Sequence, residues 1–167
     1  LNFFLPGYQI RLGSTIDRAL LVKFMRRTYQ DIFPDQDFSH LARTVELYFS
    51  TDTPLWWVDF VPEQGEQLLN LSPPPTPIAC LWVGSAIDQI QGDRNAHIFL
   101  LYVAPEHRRR GIGTALMNHV ENWATQRGDR QIGLQVFTAN QPALNLYHQL
   151  GYQPQSLWMV KSLHPEK

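Results

Sequence analysis

One mixed sheet with helices packed on both its faces, an α/β fold, is what this sequence predicts, and three observations carry the prediction. Strand-like apolar runs and helix-like periodic stretches follow one another in the order β, α, α, β, β, β, α, β, α, β. A length of 167 residues suits one domain spanning residues 1–167. Hydrophobic residues make up 44% of the chain, and a domain of this size buries about 70% of its unfolded surface without help from disulfides or a metal.

The elements follow from local pattern. Tyr8, Ile10 and Leu12 alternate with Gln9 and Arg11, the period of a half-buried strand. Gly13 and Ser14 break it, and Ser14 with Asp17 starts a helix whose stripe is Ile16, Leu20, Phe24 and Met25, fading near Tyr29 or Asp31 before Pro34. A second helix starts at Ser39 and carries Leu41, Val45, Tyr48 and Phe49. Trp56, Trp57, Val58 and Phe60 make 55–61 a strand, and 78–85 is another. Between them, 62–77 holds Gly65, Pro73, Pro74, Pro75 and Pro77 and reads as an exposed connection, either a surface insertion or a lid. Residues 96–103 form a buried strand. Ile112, Leu116, Val120, Trp123 and Ala124 mark the clearest helix, ended by Gly128. A strand over 131–137 leads to a short helix with Pro142 in its first turn, Ala143, Leu146, Tyr147 and Leu150 facing inward, and Gly151 closing it. Residues 152–162 complete the sheet.

Composition narrows the partners. With 14 Lys and Arg against 15 Asp and Glu, the chain lacks the cationic excess that holds nucleic acid or an anionic membrane. No apolar run approaches the roughly 18 residues of a spanning helix. The lone Cys80 cannot form an internal disulfide and implies a reducing compartment. A cytoplasmic protein with neither nucleic acid nor membrane as partner is expected; a homodimer is left open.

The informative segment is VAPEHRRRGIGTAL, residues 103–116. Pro105 stops a strand, and Arg108, Arg109 and Arg110 crowd the start of the next helix. That end of a helix carries about half a positive charge and favours anions, so three cations there call for a negative ligand. Gly111 and Gly113 remove side chains so that free N–H groups can close around it, which suggests a pyrophosphate. The spacing matches neither GxGxxG nor GxxxxGK. Taken alone, RxxGxG would recur by chance in about one such chain in ten, and a solvated basic turn is the plainer reading of it.

Together, two motifs resemble the GNAT acetyltransferase superfamily over residues 96–152. The first is Arg108, Arg109, Arg110, Gly111, Ile112 and Gly113, similar to the family's Q/RxxGxG/A loop between the fourth strand and the next helix. The second is Asn140, Ala143, Leu146, Tyr147, Gly151 and Tyr152. The N-terminal half resembles the family in element order only. The resemblance implies a mostly antiparallel sheet splayed at the fourth strand. It implies acetyl-CoA as cosubstrate, its pyrophosphate held by Arg108, the N–H groups of Arg109, Arg110, Gly111, Ile112, Gly113 and Thr114, and its pantetheine arm laid along Leu101, Tyr102 and Val103. Asn140 would contact the same arm; its plainer reading is a helix cap. Tyr147 stands where many members place the acid that protonates the leaving thiolate, although a core tyrosine would sit there too. His97 stands where some members carry a basic glutamate, and an imidazole can take a proton near neutral pH; a satisfied strand histidine is the alternative.

Strand alternation expects His97 to share a face with Leu101 and Val103, about 10 to 13 Å back from the strand's end. Cys80, in an apolar strand, reads as an inert small hydrophobe, and the three tryptophans 56, 57 and 82 as core. No residue spacing suggests a metal. The expected reaction is transfer of acetyl to a primary amine, on a small molecule or on a peptide or protein, by direct attack in a ternary complex, with backbone N–H groups near 101–103 holding the oxyanion. A non-catalytic acyl-CoA-binding module is the rival.

Overall fold

The computed structural model describes residues 4–61 and 76–164. The connection expected over 62–77 lies outside them except for its last two residues. Strand β1 (Tyr8–Leu12) is followed by a short 3-10 turn and helix α1 (Arg18–Ile32), then α2 (Leu41–Tyr48), β2 (Leu55–Phe60), β3 (Pro77–Ile87), β4 (Arg94–Val103), α3 (Ile112–Arg127), β5 (Ile132–Leu134) and α4 (Gln141–Gln149). The five strands lie side by side in chain order, antiparallel from β1 to β4 and parallel between β4 and β5.

Two cores sandwich the sheet, as its near-continuous apolar strands require. On one face Trp56, Val58, Leu81, Val83 and Ile98 pack under Ile112, Leu116, Met117 and Val120 of α3, with Tyr147 of α4 and Leu150 just beyond it at the margin. On the other, Trp57, Cys80, Trp82, Leu100 and Tyr102 meet Leu21 and Phe24 of α1 and Leu41 and Val45 of α2. Trp56 and Trp57 thus serve opposite cores by simple alternation. Asp59, buried in β2, is held by Arg11 Nε at 2.6 Å.

Three expectations need correction. Ile16 sits in the turn before α1 and is 90% exposed, off the apolar stripe. The strand expected over 131–137 pairs only through Ile132–Leu134, because β5 leaves β4 after Leu134. The final strand expected over 152–162 does not form: the segment has no regular structure, 153–162 is exposed, and no strand lies beside it among the described residues.

The fourth strand carries the feature that shapes the site. Its register with β3 shifts between Trp82 and Val83, which face Leu100 and Ile98, so Phe99 is an extra, bulged residue. The Phe99 ring lies over Gly84, where any Cβ would collide with it. Past the bulge the faces exchange: Ala96 and Ile98 point to the α3 core, but so do Leu101 and Val103, whereas Leu100 and Tyr102 point to the α1 core. His97 therefore lies on the α1 side beside Phe99, opposite to Leu101 and Val103, contrary to unbroken alternation.

Candidate active site

Pairing between β4 and β5 stops at Ile98 and Leu134, whereas β4 stays paired with β3 as far as Val103. The sheet is split from that point. Ala104 donates to Ile78 O on the β3 side, so by the antiparallel alternation Tyr102 also turns its backbone to β3, while Leu101 and Val103 turn theirs into the split. Arg108 Nε donates to Val103 O at 2.9 Å and closes the upper end of that open edge. The Leu101 and Val103 N–H groups remain available to a ligand that adds like a strand.

Helix α3 starts at the same end. Its first backbone bond runs from Ala115 N–H to Gly111 O, and no side chain caps it. Among the described residues, the N–H groups of Ile112, Gly113 and Thr114 have no acceptor. Arg109 (φ 63°) and Gly111 (φ 82°) alternate left-handed backbone with the residues between and after them, which turns successive N–H groups to one side as an anion nest. The two glycines do different jobs. Gly111 supplies the positive φ, with open space around it; Gly113 is helical, and a Cβ there would press on Leu146 of α4 at 3.3 Å.

The three arginines divide as well. Arg108 reaches Asp31 at the end of α1 at 3.3 Å, besides holding Val103 O. Arg110 donates to the Tyr8 hydroxyl at 2.8 Å, and that hydroxyl in turn meets His107 Nδ1 at 2.8 Å. Two of the three cations thus brace the loop against α1 and β1, and Arg109 alone has no partner among the described residues.

Tyr147 lies on α4 against the α3-side core, the face that Leu101 and Val103 share. Burial pushes its phenol up to about 12, so it keeps its proton. Asn140 accepts from Ala143 N–H at 3.4 Å and caps α4, the plainer of its two expected roles; its amide nitrogen is left for another partner. His97 pairs in register with Gly133, one position before the split opens, and its Nδ1 points toward β5. Desolvation holds it below the ordinary 6.5. The candidate acid and base therefore lie on opposite faces of the split sheet.

Residues 22–152 match the acetyltransferase (GNAT) family. This chain belongs to that family. Over 74 residues it is 36% identical to an uncharacterized N-acetyltransferase of Methanocaldococcus jannaschii, covering 44% of this chain and 31% of that one. Over 93 residues it is 32% identical to the ribosomal protein bS18 alanine N-acetyltransferase of Escherichia coli, covering 56% and 60%. The chain thus spans between about a third and three-fifths of the length of these relatives. Among solved structures, an acetyltransferase of Clostridium acetobutylicum with acetyl-CoA superposes with a TM-score of 0.71 at 20% identity over 93% of this chain and 96% of that one. AAC(6')-Iy, in complex with a bisubstrate analogue, superposes at 0.64 and 13% identity over 95% and 99%. At these identities the superpositions speak for the fold.

The GNAT chain also has parts that sequence reasoning missed. The end of α1 spans the mouth of the split: Asp31 holds Arg108 on one bank, and Phe33 meets Phe137 on the other at 5.2 Å between ring centroids, with Tyr29 stacked on Phe38 behind them. Nothing in the local pattern near Phe33 points to a partner a hundred residues away. Cys80 is fully buried and its thiol is pushed well up, which fits an inert side chain. A cavity of about 580 Å³ bounded by Trp56, Arg94, Trp123 and Arg127 lies at the far end of β4 and holds none of the expected site residues. Among the described residues no group of His, Cys, Asp or Glu is placed to hold a metal, and no helix is long and apolar enough to cross a membrane.

Proposed function

We propose that this chain, acting as one domain over residues 1–167, transfers an acetyl group from acetyl-CoA to a primary amine in a ternary complex. The observation that carries the reading is the convergence of two unsatisfied backbone surfaces: the open β4 edge at Leu101 and Val103, and the uncapped start of α3 just beyond Arg108. A pyrophosphate fits the second, with Arg109 beside it; an amide-bearing arm fits the first, pairing with two residues of the edge.

The chain's own groups then divide the chemistry. The N–H groups of the split edge stabilise negative charge on the thioester carbonyl oxygen. As the C–N bond forms and the C–S bond breaks, Tyr147 gives the departing sulfur its proton. A phenol held near 12 is not lost to water beforehand, and a hydrogen bond formed only with the thiolate accelerates the step. His97, neutral because burial lowers it, takes the proton from the amine through a water relay along the α1 side of the split. Acceptors enter past Phe33 and Phe137. A relative named for a ribosomal protein's alanine and a structural neighbour named as an aminoglycoside acetyltransferase are both named for amine-bearing acceptors, which supports an amine acceptor here.

Release of free thiol from acetyl-CoA in the presence of an amine panel tests the reading. Amine-dependent release is expected. Saturable acetyl-CoA binding with no release on any amine would favour the acyl-CoA-binding module instead.

A further inference from the structure

The cavity at the far end of the sheet is built from several elements at once. Leu12 of β1 and Trp56 of β2 are register partners, and Ser85 of β3 and Arg94 of β4 continue the lining on the α3 face. Trp123 and Arg127 of α3 bound it, and Asp52, which leads into β2, lines it too. From Arg94 here, β4 runs its 10 residues to Val103 at the split, roughly 30 Å by strand rise. The cavity is therefore separate from the split. Its volume of about 580 Å³ is that of a small-molecule site. Its walls are also held in place. Trp56 and Trp123 meet edge to face at 5.6 Å between centroids, and the Arg127 guanidinium stacks on Trp123 at 4.3 Å. Asp129, with a side chain only 2% exposed, pins Arg127 through Nε at 3.1 Å, and another guanidinium nitrogen donates to Ser85 Oγ at 3.3 Å. Arg94 is not tied down in this way. It stands 3.9 Å from a carboxylate that Arg127 already fills, and it is 54% exposed. Asp52 has no ion pair among the described residues.

We propose that this cavity binds a free α-amino acid with a large apolar side chain. Charge complementarity selects that class. Asp129 cancels Arg127, so the lining offers one cation in Arg94, one anion in Asp52, and apolar surface on Leu12, Trp56 and Trp123. A ligand bearing only a carboxylate would leave Asp52 facing it unanswered, and one bearing only an ammonium would do the same to Arg94. A zwitterion answers both: its carboxylate goes to Arg94 and its ammonium to Asp52, each as a charge-assisted hydrogen bond. The side chain then lies against Leu12 and the two indoles, where a benzyl or isobutyl group buries enough apolar surface to hold and a methyl group does not. A residue inside a peptide is excluded by the same argument, because its nitrogen and its carbonyl are neutral amides.

Phenylalanine is the probe, titrated by calorimetry while the tryptophan indole N–H signals are followed by NMR. Saturable binding of one equivalent is expected, with the Trp56 and Trp123 signals shifting and those of Trp57 and Trp82, in the opposite core, unmoved. Phenylalaninamide and N-acetylphenylalanine, which each lack one charge, should bind at least about tenfold more weakly. Arg94→Gln should weaken phenylalanine by a similar factor and leave phenylalaninamide unchanged. Asp52→Asn should weaken phenylalanine and leave N-acetylphenylalanine unchanged. Both positions are exposed, so both variants keep the fold, as circular dichroism will report. Absence of saturable phenylalanine binding overturns the proposal. So does an affinity indifferent to both substitutions, or shifts confined to tryptophans other than 56 and 123, since the amino acid would then sit elsewhere, including in the split as an acetyl acceptor.

Discussion

Helices α3 and α4 pack on the same face of the sheet and begin in opposite ways. At the start of α4 every donor is settled: Gln141 N–H meets Ala139 O, Pro142 has none, Ala143 meets the Asn140 side chain, and Leu144 meets Asn140 O. At the start of α3, among the described residues, Ile112, Gly113 and Thr114 are left with no acceptor and Arg109 beside them has no partner. A helix needing only to be stable would be capped like α4, at a gain of about 1 kcal/mol. The uncapped end is the one that can take an anion, and it is also the one facing the split edge of β4.

The largest effect should come from supplying α3 with its own anion. Thr114→Glu places a carboxylate at the third helical position, which stabilises the free protein by about 0.3–1 kcal/mol and repels a pyrophosphate. Acetyl-CoA affinity, by calorimetry, should fall on the order of 10²-fold while Tm holds or rises. A fall in both would mean the helix start had been damaged rather than filled. Next, Tyr147→Phe should lower kcat by about 10²-fold with KM for acetyl-CoA little changed, since it removes a proton and keeps the ring. Unchanged kcat would return Tyr147 to packing.

A smaller effect is expected at the root of the split. His97→Ala should cost about tenfold in kcat/KM near neutral pH and remove an acid-limb inflection lying below 6.5, because burial depresses this histidine. The sign for stability agrees. A depressed imidazole binds its proton more readily in the unfolded chain, so the parent loses stability as pH falls below 6.5 and the variant loses less. A pH–rate profile that overlays the parent's would move the base elsewhere. Smallest is the change at the capped helix: Asn140→Ala should cost about 1 kcal/mol in urea unfolding and weaken acetyl-CoA only a few-fold. A larger loss of affinity than of stability would make Asn140 a ligand contact first.

Both helix starts were legible in the sequence because glycine, proline and asparagine punctuate them. Arg108, Arg109 and Arg110 announced an anion, but not that Arg110 turns to Tyr8, 102 positions away; pattern gives residue type, and distant packing gives direction. The Phe99 bulge was invisible for a different reason. With both faces of β4 buried there is no polar face to fall out of step, so one inserted residue leaves no trace, and it moved His97 to the other side of the sheet. The strand expected over 152–162 failed for a third reason: an apolar run such as 157–160 carries strand propensity, but whether an edge pairs with it is not encoded in the segment, and here none does among the described residues.

Hydrogen exchange at single backbone amides, with and without acetyl-CoA, tests most directly whether the uncapped helix and the open edge form one site. The expected result is slowed exchange at Ile112, Gly113 and Thr114 together with Leu101 and Val103, and none at Ala143 or Leu144. Protection absent from the α3 start, or equal at both helix starts, would contradict it.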